Sequence, residues 1–283
     1  MTRALLASCI VPLAFLLSTA HAGDDVDPAK VERTADLAAA REAGVAERVI
    51  AEVAAGSLEL VVDPNISRPR IEAEFTVDGE DEKDVKRRSE LVKLFAERVA
   101  DQTIVVQPMF PGKPMERDAA RIRITVPKAG DASLKGTKGA VKAVGTSGKL
   151  KASTKEGAIR IERHAGSVDA SADAGAIEIV DAGGEVRVAA GDGAVTVVLA
   201  DGNDLPFDIE TRNGLVRLEV GADFDGIVKM HSTSGKIDLS DSGKRARVPK
   251  ASDHSKTVEI GAAGGHSEVR TTAGAIKLKV RAK

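Results

Sequence analysis

The chain reads as an all-β protein: a single-domain parallel β-solenoid of 18–21-residue two-strand coils, with one helical insertion near its N-terminal end. Three observations predict this. Glycines at 139, 148, 157, 166, 175, 184 and 193 recur every nine residues. After each, the second and fourth residues are mostly aliphatic and the third is mostly polar, the alternation of a strand with one buried face. Units two apart resemble each other more than immediate neighbours do, as they must when two strands make one coil.

The first segment is an export signal. Arg3 precedes the apolar run Ala4 to Leu17, and Ala20-His21-Ala22 fits a small-x-small cleavage site, so residues 1–22 form a signal peptide cut before Gly23. The run falls short of the roughly 20 apolar residues of a spanning helix, and no later stretch is apolar enough to cross a bilayer. Leu6-Ala7-Ser8-Cys9 has the look of a lipobox, but Ile10 to Leu17 follows it, so lipidation at Cys9 is not expected. Without Cys9 the exported chain has no thiol and no disulfide, and its stability must come from packing.

Residues 23–45 form an alanine-rich, charged leader, with Asp36 to Arg48 readable as a short helix. The solenoid domain covers 46–283. Val49, Ala51 and Val53, then Leu58, Leu60 and Val62, open it; Ile71, Ala73 and Phe75 continue it. Over 84–99 the shared face of Leu91, Phe95 and Val99 predicts the inserted helix. Strands follow at Thr103–Val106 and Arg121–Val126.

The regular repeats span 139–283. Their first ladder is Val141, Ile159, Ile177, Val195, Val216, Ile237, Val258 and Ile276, with Ala143, Ile161, Ile179, Val197, Leu218, Leu239, Ile260 and Leu278 two residues on. A second ladder, Leu150, Val168, Val186, Phe207 and Val228, faces it across the core. Outside, Lys151, Asp169, Arg187, Asp208 and Lys229 alternate in sign, and Arg160–Glu178, Arg217–Asp238 and Glu259–Lys277 are favourable neighbours. Parallel stacking in this register accounts for the pairing, because like charges directly opposite cost energy.

"GAIRI", "GAIEI", "GLVRLEV" and "TSGKIDLS" resemble the units of a bacterial putative-adhesin β-strand-repeat family, also called the toast-rack domain, a domain of unknown function. "GSLELVV" and "RIRITVPKAG" resemble its opening strands. The resemblance covers roughly residues 46–280 and implies an exported β-solenoid with adhesion or envelope contact, and no catalytic residues to carry over. The helical segment 84–99 and the alanine-rich leader depart from it.

No chemistry converges. His164, His231, His254 and His266 fall at different coil offsets and read as solvated turn residues; no HxH, HExxH or CxxC occurs, so no metal is expected. "GGEVRVAAGDG" has a nonapeptide period but only Asp192 nearby, which excludes a calcium-binding roll. "GAAGGHSEV" at 261–269 lacks the helix a phosphate loop needs, and Lys244, Arg245, Arg247 and Lys250 read as a solvated basic loop. With a net charge of −2 and neither Trp nor Tyr, nucleic acid is excluded as a partner.

No catalytic, cofactor or metal residue is assigned. The expected function is an exported, non-enzymatic binding or scaffold protein, periplasmic or on the cell surface, contacting an envelope component, a surface polymer or a protein. The alternatives are a periplasmic accessory of an envelope-stress system and a solenoid carbohydrate-active enzyme. Open coil ends also allow a homodimer.

Overall fold

The computed structural model describes residues 26–37, 46–99, 102–262 and 264–282. The expected signal peptide and Cys9 lie outside the described residues. The described residues are all-β with one helix. In order the elements are β1 (Ala29–Asp36), β2 (Glu47–Val62), β3 (Arg70–Val77), α1 (Glu82–Leu91), β4 (Lys93–Val99), β5 (Thr103–Met109), β6 (Ala119–Val126), β7 (Ala129–Lys138), β8 (Val141–Val144), β9 (Ser147–Glu156) and β10 (Ile159–Ala174). There follow β11 (Ile177–Ala182), β12 (Val186–Asp192), β13 (Val195–Leu199), β14 (Phe207–Asn213), β15 (Val216–Val220), β16 (Gly226–Ser232), β17 (Ile237–Asp241), β18 (Ala246–Ala251), β19 (Ser255–Ile260), β20 (Gly265–Ala273) and β21 (Ile276–Val280).

The strands form two facing layers. The first runs β1–β3–β6–β2–β8–β10–β11–β13–β15–β21–β17. The second runs β4–β5–β2–β7–β9–β10–β12–β14–β20–β16–β19–β18. The long strands β2 and β10 bend from one layer into the other, and the aliphatic rows of both layers meet between them, buried except at Leu239, which is partly exposed. Through the middle the pairing is parallel and in the predicted register: Ile159 lies opposite Ile177, and Ile177 opposite Val195.

The nine-residue glycines occupy the corners. A methyl group on Gly157 would overlap the carbonyl oxygen of Gly139, and one on Gly175 that of Gly157. Their φ angles of +148° and +131° also disfavour other residues. The corner therefore needs glycine twice over, for backbone conformation and for backbone-to-backbone contact.

The order of units departs from the sequence expectation at both ends. β21 pairs with β15 on one side and β17 on the other, so Ile276 sits between Val216 and Ile237. Val258 is absent from that ladder; it lies opposite Val228 in the second layer, in an antiparallel pair. The expected neighbours Arg217 and Asp238 are thus separated by Lys277, and Asp208 and Lys229 by Glu268. The same happens at the start: β2, not β6, adjoins β8, and the excursion from β3 to β6 lies outside it.

Two N-terminal expectations are corrected. The helix ends at Leu91, with Val92 extended, and 93–99 is strand β4. It starts where Asp81 accepts a hydrogen bond from the Asp84 amide at 2.7 Å, a helix N-cap. The leader contains β1, which pairs with β3, so residues 29–36 are strand; of the short helix expected over Asp36 to Arg48, Asp36 belongs to β1 and Glu47 and Arg48 to β2, and residues 38–45 lie outside the described residues. β1 lies against both α1 and β4 at that end; Arg33 ties β1 to α1 by donating to the Ser89 carbonyl at 3.2 Å. At the other end, edge strand β18 is exposed and carries Pro249 and Lys250, which discourage pairing with another chain.

Candidate functional site

The most distinctive surface is the outer face of the second layer over β5, β2, β7 and β9. Between residues 128 and 155 the sequence holds seven lysines and a single acid, Asp131. Strand alternation sends Lys149, Lys151 and Lys155 of β9 outward, while Leu150, Ala152 and Thr154 are buried. Arg48 on β2 and Lys135 on β7 join them. Five cations thus share these strands with two acids, Asp131 and Glu52, in a chain whose net charge is −2, and Asp169 of β10 lies opposite Lys151 at the margin. Lys151 and Lys155 form no ion pair among the described residues.

Asp131 organises the patch. It accepts the Lys149 amide at 2.9 Å and the Arg48 guanidinium at 3.3 Å. The Lys149 amide first, with Arg48 assisting, holds the carboxyl below the usual carboxylate range, against the opposing effect of burial. Lys135 pairs with Glu52 at 2.7 Å. Between Arg48, Ile50, Asp131, Ser133, Lys149 and Lys151 lies a shallow depression of about 220 Å³.

Apolar side chains adjoin the cations. Ile50, 37% exposed, lines the depression with Arg48, Lys149 and Lys151. Val105 lies directly opposite Ile50, half-buried, and Ser133 flanks Ile50 on the other side. Under this edge Glu47 is buried and ion-paired with Arg98; burial raises its carboxyl above the ordinary value, with Arg98 opposing.

The residues weighed in the sequence stay apart. His231, His254 and His266 are exposed, and among the described residues no three His, Cys, Asp or Glu side chains are placed to hold a metal ion. His164 is the exception to the solvated reading: it is buried. Its Nε2 donates to the Ser167 carbonyl at 3.2 Å, because a carbonyl can only accept, so Nδ1 accepts from the Thr146 hydroxyl at 2.9 Å. Burial lowers its pKa, keeping it neutral. The basic run Lys244–Lys250 is partly structural, since Arg245 bonds the Ala222 carbonyl and Asp225. A second cluster, Arg88 paired with Asp118 at 2.6 Å and Arg117 with Asp78 at 3.0 Å, pins α1 to the loop before β6 and is largely buried. Repeat position alone does not reveal the lysine patch, because its members lie on three different strands at ordinary outward positions. Its signal was the acid-poor run 128–155.

Among the described residues no helix is long and apolar enough to cross a membrane. No family model matches the chain. No curated protein matches it. Among solved structures, the chain is similar to a putative cell adhesion protein from Clostridium sporogenes, at 12% identity over 90% of this chain and 100% of that one, with a TM-score of 0.35. It is similar to putative adhesins from Bacteroides fragilis (14%, 89% and 99%, TM-score 0.33) and Parabacteroides distasonis (10%, 90% and 98%, TM-score 0.33).

Proposed function

We propose that this is an exported, non-enzymatic binding protein, a β-solenoid that presents a flat sheet face to a partner in the cell envelope or on the cell surface. The observation that carries the reading is the cationic and aliphatic patch around Ile50, held on paired strands with Arg48 and the Lys149 backbone fixed by Asp131. A rigid platform of this kind binds without paying ordering entropy in its own backbone. The apolar run Ala4 to Leu17 supports export.

The test is fractionation and retention. The chain is expressed with its first 22 residues and followed into the cell fractions, then the purified form is passed over immobilised envelope. Export, and retention that falls when Lys149, Lys151 and Lys155 become Glu, is the expected outcome. Release of sugar reducing ends from polysaccharide would replace this reading with the carbohydrate-active enzyme.

A further inference from the structure

We infer that the patch over β5, β2, β7 and β9 takes an extended acidic peptide segment, with aliphatic side chains among its carboxylates, from a partner protein. The inference rests on the binding reading above and names the partner's chemistry. Three features favour such a peptide. The first is charge: the patch is cationic on a chain of opposite net charge, and among the described residues no acid comes within ion-pair distance of Lys151 or Lys155, Asp169 lying opposite Lys151 only in register. The second is spacing. Lys149 and Lys151 are two residues apart on one strand, about 6.6–6.8 Å along it, and an extended peptide lying beside β9 places its own i and i+2 side chains at the same interval. The third is the aliphatic pair of Ile50 and Val105, directly opposite each other on β2 and β5, with Glu97 beyond Val105, since interfaces join an apolar centre to a charged rim.

Other anions fit less well. A polysaccharide would want stacking platforms, and the chain lacks Trp and Tyr. An anionic bilayer lying on this flat face would also meet Asp169 and Asp173 on β10 and Asp208 and Glu210 on β14, with Arg187 between them. A peptide covers only the cationic end.

The experiment is fluorescence anisotropy of a short labelled peptide alternating Glu and Val against the purified chain. Comparison ligands are a Glu–Gly peptide, a uronate polymer and phosphatidylglycerol vesicles. The Glu–Val peptide is expected to bind best, to weaken with added salt, and to lose at least about tenfold in affinity in the Lys149→Glu/Lys151→Glu/Lys155→Glu variant. Ile50→Ser should weaken Glu–Val binding several-fold and leave Glu–Gly unchanged. All four positions are on the outer face, and an unchanged thermal melt confirms that the variants fold. Equal binding of Glu–Gly and Glu–Val, or tighter binding of the uronate polymer or the vesicles, overturns the peptide. No Glu–Val binding, together with envelope retention that the charge reversals abolish, overturns the peptide and leaves the binding face standing. Retention unaffected by the reversals overturns both.

Discussion

At the scale of single residues, burial decides behaviour more than residue type. His164 is held neutral inside, accepting from Thr146 and donating to Ser167. Its folded pKa lies below the unfolded value, so below about pH 6.5 the unfolded chain binds a proton that the folded chain refuses. The stability this group supports is therefore whole above that pH and is lost as pH falls. Urea denaturation at pH 7.5 and pH 5 should show a decline for the native chain that is smaller in His164→Gln. The corner glycines give a second contrast. Gly175→Ala should cost more than the roughly 1–3 kcal/mol of an unfavourable backbone conformation, because the new methyl meets the Gly157 carbonyl. Gly202→Ala, with φ +77° and no atom within 4 Å, should cost only the conformational part. Paired melts of the two variants measure the difference.

At the scale of elements, the strands were legible and their neighbours were not. Val216, Ile237, Val258 and Ile276 share a pattern that reports an inward face. Nothing in that pattern says which strand lies beside which, so the insertion of β21 between β15 and β17 left no trace in it. The helix over 84–99 was overextended for a related reason. Leu91, Phe95 and Val99 are four apart, and a spacing of four satisfies a helix face and one face of a strand alike. The patch on β9 was hidden by the reverse effect, since its lysines occupy ordinary outward positions and gain meaning only from β2 and β7 beside them. Two predictions belong here. Arg88→Met, which leaves Asp118 buried without its guanidinium, should destabilise by about 3–5 kcal/mol, with part recovered by adding Asp118→Asn, as read by chemical denaturation. Removing residues 265–283 should do more than shorten the stack. It parts β16 from β14 and β17 from β15, so limited proteolysis should cut throughout 222–262.

At the scale of the molecule, both extremes of the parallel run are folded inward. β2 is flanked by β6 and β8 in one layer and by β5 and β7 in the other, and β20 and β21 are likewise flanked on both sides. Hydrogen exchange should therefore find β2, β20 and β21 as slow as β10 to β13. Exchange should be fast in the margins β1, β4 and β18, which are paired on one side only. Fast exchange in β21 with slow exchange in β17 would contradict the interleaved order.

Interleaving also restricts how such a molecule can lengthen in evolution. A duplicated 18-residue unit spliced between Gly157 and Gly175 meets a copy of its own surroundings above and below and displaces nothing. The same unit appended after β21 could not stack on that strand, because β15 and β17 already flank it. Descendants of this architecture should differ in size at the waist and keep their two tips constant.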